Sequence, residues 1–461
     1  MAILFYDTAM YAPALQPGYI SAASGNNTRA MPGWMQATDL DFLKSNSPFF
    51  HHPVVLYSAG HISNYKSALP SMLSGKDESN TVILGDSGGY QYATGARTLN
   101  SVSNLVPIFD WLVANTDIAV TFDVPPWTVY EENTRWTSWG ECLSDTLEYL
   151  TFIEQSNKDI KHPFLNVLQG ASLNEAEKWY EAVKHFDFYG WAFAYETKYN
   201  FHIALSLIAM ILRDFEDKYR EGELWLHFLG VSDMQTFVLL NALQKQLRVR
   251  LGHDRVQITF DTSSPFQSAG KWGQHDDMPV FKNTLGRWQM SIPSINFGPL
   301  SQYSPCDPFP SNVATVVANK LEMGDLIINK NDGRGNRFDS TSSALIANHN
   351  LQVQLDGFQE AAKRMARPRF MRKSLMAPCL VDACDCIEYL LTLPAHVKDS
   401  DLETEIHTGL EECQSEYPLA ILFDELIDVR VIKTLVQAKN KAKSWPWWKI
   451  FEFKKPWSKS K

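Results

Sequence analysis

Thr81-Val82-Ile83-Leu84-Gly85-Asp86-Ser87-Gly88-Gly89-Tyr90-Gln91 begins as a short apolar run and ends in an acid, two glycines and an aromatic. A run of this length, bounded by a turn signal, reads as a buried strand. The strand delivers the Asp86 carboxylate to its C-terminal end. Gly88 and Gly89 let the backbone turn sharply or lie close to a ligand. Tyr90 adds a flat face for stacking. Acid, bare backbone and aromatic together suit a planar, hydrogen-bonding ligand such as a nucleobase. The same residues also suit a plain strand followed by a glycine turn.

The arrangement recurs along the chain. The run 54–57 leads to Ser58 and Gly60-His61, 118–122 to Asp123, and 164–168 to Gln169-Gly170. Further on, 191–194 leads to Tyr195-Glu196, 224–229 to Gly230-Val231, and 256–260 to Asp261. From Asp86 onward the intervals are roughly 25 to 45 residues, room for a strand, a helix and two loops. The segments 174–185 and 203–220 have helical character, the second with an apolar stripe. Alternating strand and helix implies a parallel sheet. About eight such units over about 300 residues predict a (β/α)8 TIM barrel rather than an open sheet. Barrel active sites lie at the C-terminal strand ends, where Asp86, Asp123, Gln169 and Asp261 all fall. The expected division is a barrel over 1–360 and a mostly helical extension over 361–461.

A chain of 461 residues can bury a large core. Its 45% hydrophobic and 20% charged content is that of a soluble globular protein. No apolar stretch is long enough to span a bilayer. The start, Met1-Ala2-Ile3-Leu4-Phe5-Tyr6-Asp7, lacks the basic residues and long apolar core of a signal peptide. The expectation is a cytoplasmic protein with no membrane partner. Six cysteines do not make a disulfide framework in a chain of this length. The net charge of −10 argues against a protein that coats nucleic acid, while leaving room for local basic patches. One patch holds Lys363, Arg364, Arg367, Arg369, Arg372 and Lys373. The other is the tail 439–461, where lysines alternate with Trp445, Trp447, Trp448, Phe451, Phe453 and Trp457. Lysines that meet phosphates beside aromatics that meet bases form a nucleic-acid pattern. A solvated or membrane-surface tail has the same composition.

Three strand-end aspartates admit three chemistries. Metal binding is disfavoured, because no histidine follows any of them at short spacing. Glycoside hydrolysis and glycosyl transfer remain, both using one carboxylate at an anomeric carbon and another to move protons.

The motifs, taken in order, resemble the tRNA-guanine transglycosylase superfamily over roughly residues 50 to 360. Asp86-Ser87-Gly88-Gly89-Tyr90-Gln91 matches its best-known motif, and Phe122-Asp123 looks like its second base-reading acid. Val167-Leu168-Gln169-Gly170 is similar to a Val-Gln-Gly element, and the segment 190–196 resembles Gly-Gly-Leu-Ala-Val-Gly-Glu. Leu229-Gly230-Val231 resembles Met-Gly-Val. Phe260-Asp261 with Pro265, followed by 268–274 including Lys271, looks like Phe-Asp-Cys-x-x-Pro and the glycine-rich stretch beyond it.

The resemblance implies roles. Asp261 would attack C1′ and form a glycosyl ester. Asp86 would protonate the departing guanine and later deprotonate N9 of the incoming base. Asp123 would accept from N1–H and the exocyclic amine. Gln169, with backbone near Gly170 and Tyr195, would read the carbonyl side, and Tyr90 would stack. Ser87, Gly88, Gly89 and Gly230 complete the implied base pocket. Lys271, Arg367, Arg369, Arg372 and Lys373 are the implied nucleic-acid contacts.

The departures matter as much. The tRNA enzymes carry a Cys-x-Cys-x-x-Cys zinc cluster completed by a downstream histidine. Here only Cys306 and His349 correspond, with Asp307 as a conceivable oxygen ligand. Cys379, Cys384 and Cys386 follow His349, on the wrong side of it. The chemistry requires no cofactor, and zinc is in doubt. The Pro-Thr-Arg after the nucleophile is replaced by Ser264-Pro265-Phe266, and no RNA-binding domain of the usual archaeal kind is evident. These departures resemble the DpdA-like branch, which inserts 7-deazaguanines such as preQ0 into DNA in bacterial and phage modification systems, with accessory proteins. The implied partners are therefore DNA and a preQ0-type base. A tRNA transglycosylase with a rearranged C-terminus and a silent nucleic-acid-binding subunit stay open. Retention of Asp86 and Asp261 speaks against the silent subunit.

Overall fold

Eight parallel strands form the centre of the computed structural model. They are β1 Met10–Pro13, β2 Val54–Ser58, β3 Val82–Asp86, β4 Ile118–Val120, β5 Phe164–Leu168, β6 Gly190–Phe193, β7 Leu224–Phe228 and β8 Val256–Thr262. Their order is β1-β8-β7-β6-β5-β4-β3-β2. A parallel bridge between Ala14 and Leu56 closes the ring from β1 to β2, and the Leu15 amide donates to the Leu56 carbonyl at 2.9 Å. With helices between the strands, this is a (β/α)8 barrel. The structure describes residues 4–392, except 27–28, 63–64, 66–68, 78–79, 96–101, 132–133, 195, 285–286 and 329–337.

Alternate residues of each strand face opposite sides. Val54, Leu56, Val82, Leu84, Ile118, Val120, Leu165, Val167, Ala192 and Trp225 form one cluster inside the ring. Val55, Ile83, Ala119, Phe164, Phe193, Phe228 and Phe260 face outward into the larger core under the helices. The interior is apolar apart from Ser58 and Asp86 at the ends of β2 and β3 and a longer polar run along β7 and β8. There His227, Gln257, Thr259 and Asp261 are all buried, on the side of their strands shared with Trp225.

The helices include Val106–Asn115, Trp139–Asn157, Leu173–Val183, Phe201–Glu221 and Met234–Leu251. Ser138, Ser172 and Asp233 cap three of them, each side chain accepting a first-turn amide. The strand that sequence reading did not find is β1. It is four residues long and ends in proline, so it carries little pattern of its own, and pairing with β8 makes it a strand.

After β8, two small antiparallel sheets form, Gln274–Asp276 with Ser294–Asn296 and Val280–Thr284 with Arg287–Ser291. The long helix Ser340–Met365 then packs beside them; residues 360 and 361 lie within it. Two further helices follow, Arg369–Leu375 and Pro378–Thr392. The last lies along Met234–Leu251, where Arg250 Nη1 donates to the Leu391 carbonyl at 3.0 Å. Among the described residues, no helix is long and apolar enough to cross a membrane. The basic tail 439–461 lies outside the described residues.

Candidate active site

The loops after β2 and β3 meet backbone to backbone. Gly88 has φ of 87°, and a side-chain carbon there would stand 2.7 Å from Gly60 Cα. Only glycine fits such a contact at such a dihedral. The tight turn keeps Asp86 at the end of β3, with the Ser58 hydroxyl and the Gly88 amide near enough to favour its charged form. Burial pushes the Asp86 pKa above the ordinary carboxylate value; the charge of Asp261 pushes the same way, while the two donors and His61 oppose. Ser87 does not face the pocket: its hydroxyl donates to the Thr121 carbonyl at 3.2 Å and ties this loop to β4. Gly89 lies over Asp123; a side-chain carbon there would come within 3.6 Å of Asp123 Oδ1. Tyr90 is 60% exposed, its ring centred 6.0 Å from that of Trp127.

Asp123 follows β4 and Gln169 follows β5. Gln169 Nε2 donates to Asp123 Oδ2 at 2.5 Å. Burial raises the Asp123 pKa to about 7; Gln169 opposes this, and the charge of Asp86 adds to it. The expectation that Gln169 donates to a ligand carbonyl needs amending. Its amide nitrogen is engaged by Asp123, and its buried Oε1 has no partner. Gln91 Oε1, behind the glycine turn, is likewise buried without a partner.

Across the ring, Asp261 sits on β8 and is 7% exposed. The Gly230 amide, just past β7, donates to its Oδ1 at 2.8 Å. His227 Nε2 lies 3.3 Å from the same oxygen. His227 Nδ1 is 2.8 Å from Thr259 Oγ1, to which Trp225 Nε1 donates at 2.9 Å. Lys198 Nζ lies close over Gly230, 2.8 Å from where its side-chain carbon would be. His227, Thr259, Trp127 and Lys198 were not foreseen from the sequence. For His227 a signal existed: in Leu224-Trp225-Leu226-His227-Phe228 the alternation puts a polar ring on the interior face, three residues before Gly230.

Other expected residues fall elsewhere. Gly170 serves packing, since a side-chain carbon there would stand 2.7 Å from Ala176 Cα in the next helix. Tyr195 lies outside the described residues. Lys271 Nζ rests 5.7 Å from the Trp272 ring centre. In the helical extension Arg369 pairs with Asp385 at 2.8 Å and Lys373 with Asp382 at 2.6 Å, while Arg372 Nε donates to the Arg367 carbonyl at 2.8 Å.

The pair Cys306 and His349 does not fit zinc. Cys306 is exposed. His349 is fully buried, with Nδ1 2.7 Å from Thr315 Oγ1 and Nε2 2.9 Å from the Asp276 carbonyl. A carbonyl only accepts, so Nε2 carries the proton and Nδ1 accepts from Thr315. Neither nitrogen is left for a metal. Burial lowers the His349 pKa to about 4, which keeps the ring neutral. Among the described residues, no cluster of three histidine, cysteine or acidic side chains could hold a metal ion.

The strand ends thus assemble two carboxylates, Asp86 and Asp261, with the charge of Asp261 felt at Asp86, beside an acid–amide pair, Asp123 and Gln169. One carboxylate biased toward its protonated form and another held by donors are the parts of a two-step displacement. No protein-family model matches this chain, and no curated protein matches it.

Proposed function

We propose that this chain is a DNA-guanine transglycosylase, which removes guanine from DNA and installs a 7-deazaguanine of the preQ0 type. The observation that carries the reading is the convergence of Asp86, Asp123, Gln169 and Asp261 at the ends of β3, β4, β5 and β8, with the charge of Asp261 felt at Asp86 and that of Asp86 felt at Asp123.

The target nucleotide must leave its stack for C1′ to be reached. An Asp261 oxygen attacks C1′ while the C1′–N9 bond breaks, and Asp86 gives its proton to the departing guanine. The elevated Asp86 pKa suits that donation. The incoming base then loses its N9 proton to Asp86 and displaces Asp261 from C1′. Two inversions retain the anomeric configuration. Asp123 Oδ1 and the unpartnered Gln169 Oε1 offer two acceptors to a base edge carrying N1–H and an exocyclic amine. Tyr90, with Trp127 beside it, supplies the stacking face.

The choice of DNA over tRNA rests on the sequence departures: the missing cysteine cluster and the changed segment Ser264-Pro265-Phe266. Mass spectrometry of nucleosides from both polymers, after expression with a preQ0 supply, tests it. A modified deoxynucleoside is the expected product. A modified ribonucleoside alone would transfer the reading to tRNA, and neither product would overturn base exchange.

A further inference from the structure

Inside a barrel lined mostly by apolar side chains, β7 and β8 carry a polar column that leads to Asp261. Trp225, His227 and Thr259 are each fully buried, so every hydrogen among them needs an acceptor. The contact lengths favour one proton arrangement in the column. Trp225 Nε1 is a donor only and donates to Thr259 Oγ1 at 2.9 Å. The Thr259 hydroxyl has a single proton. Its candidate acceptors are His227 Nδ1 at 2.8 Å and the Leu226 carbonyl at 3.5 Å. The shorter contact is the better hydrogen bond, which makes Nδ1 the acceptor and leaves the imidazole proton on Nε2. The opposite tautomer would turn an Nε2 lone pair toward Asp261 Oδ1 at 3.3 Å, two acceptors facing each other in a dry site.

We propose that His227 is a positioning residue for Asp261: a neutral imidazole whose Nε2–H joins the Gly230 amide in holding Asp261 Oδ1, so that Oδ2 is presented to the sugar. This rests on Asp261 being the nucleophile. At 3.3 Å from Oδ1, Nε2 stops just short of a hydrogen bond. A small turn of the carboxylate closes it, as happens when catalytic contacts tighten around a substrate. Two donors on one oxygen leave the other as the attacking atom. In the ester, Oδ1 becomes the carbonyl oxygen. When the incoming base displaces the sugar, negative charge returns to Oδ1, where two fixed donors receive it.

The test has two arms. In the first, imidazole 15N resonances of His227 are recorded in the ligand-free protein near neutral pH. The expected result is the neutral Nε2–H tautomer, with its Nε2 signal displaced in Asp261→Asn and its tautomer balance shifted in Thr259→Val. An Nδ1–H tautomer, an imidazolium, or signals unmoved by Asp261→Asn would overturn the proposal. In the second, the single-turnover rate of covalent adduct formation is measured with a guanine-containing oligonucleotide. His227→Phe should slow it about 10- to 100-fold, the weight of one hydrogen bond to a charged group. The KM for free base should stay within about twofold, because the base pocket is untouched. His227→Gln, which places an amide N–H where Nε2 was, should recover most of the rate. Equal rates in wild type and His227→Phe would overturn the proposal. No adduct from the wild-type protein on DNA or tRNA would instead overturn the base-exchange reading, and the resonance arm then judges the His227–Asp261 pair alone.

Discussion

The lobe behind β8 and the mouth of the barrel each bury a histidine near an aspartate, and they treat the pair differently. In the lobe the pair itself is fully engaged. His349 spends both nitrogens on Thr315 and the Asp276 carbonyl, and the Asp276 carboxylate accepts from Ser294 at 2.6 Å and Gln354 at 3.3 Å. At the mouth the polar groups stop one contact short. His227 Nε2 and Gln169 Oε1 are buried with no hydrogen-bond partner. Buried polar atoms without partners are costly, and these two lie beside the residues proposed to act, His227 Nε2 at Asp261 and the Gln169 amide at Asp123. The lobe uses histidine as mortar, whereas the mouth keeps its capacity in reserve.

The contrast is sharpest at Asp261. Asp261→Ala removes the proposed nucleophile and should abolish both the covalent adduct and base exchange. The expected loss is at least about 10^4-fold, roughly 5 kcal/mol of barrier. Denaturing gels of trapped reactions read it directly. Exchange at the wild-type rate in this variant would show that the mouth is built as the lobe is, for stability.

His349→Ala should do the reverse. It leaves Thr315 and the Asp276 carbonyl without their partner and opens a void in a fully buried site. A loss of about 2–4 kcal/mol of stability is expected. The urea midpoint should fall at unchanged slope, and the folded fraction should form adduct at the normal rate. A stable variant that no longer exchanges bases would join the lobe to the active site.

Asp123 carries the pH signature of the mouth. Its pKa near 7 means the free protein holds it partly protonated at neutrality, whereas a base presenting two donors needs it ionised. Affinity for the free base should therefore rise with pH up to about 7 and then level. Below that it should weaken about tenfold per pH unit. Asp123→Asn should weaken binding by about 1–3 kcal/mol, since one ligand donor loses its acceptor, and flatten the pH dependence. A carboxyl whose folded pKa is raised lends stability that is full below its unfolded pKa and disappears as pH climbs to the folded one. The asparagine variant should for that reason melt higher than wild type at neutral pH. Calorimetry across pH settles both; unchanged affinity would make Asp123 a structural acid.

How much of this was visible in the chain follows the range of the interactions. Strands β2 to β8 announce themselves through local apolar runs, and an acid at a strand end reads as a site residue because a barrel has only one catalytic end. Strand β1 is invisible locally, since Met10-Tyr11-Ala12-Pro13 becomes a strand only by pairing with residues 259–262. The surroundings of His349 are invisible for the same reason. Its partners lie 34 and 73 positions away, so the motif comparison that left zinc in doubt cannot show that a hydroxyl and a carbonyl engage both ring nitrogens. His227 is legible only through strand alternation, which places it inside, because it sits within its strand and not at the strand end where site residues announce themselves. Ser87 and Gly170 sit in the motifs and also tie the scaffold together, which only the Ser87–Thr121 hydrogen bond and the nearness of Ala176 reveal.

The smallest effect expected is at Tyr90, and it separates the two regions most cleanly. The ring is largely exposed and touches Trp127 rather than the core, so Tyr90→Ala should leave the melting temperature within about a degree, as surface substitutions do. Any loss should fall on ligand binding, about 1 kcal/mol for one stacking face. Tyr90→Phe should bind like wild type, because stacking uses the ring and not the hydroxyl. Trp127→Ala should act in the same direction, and the double variant should lose less than the sum if both rings grip one base. A lowered melting temperature with unchanged base affinity would make Tyr90 a structural residue, as His349 is in the lobe. It would also leave the flat face of the pocket to be found elsewhere around the rim.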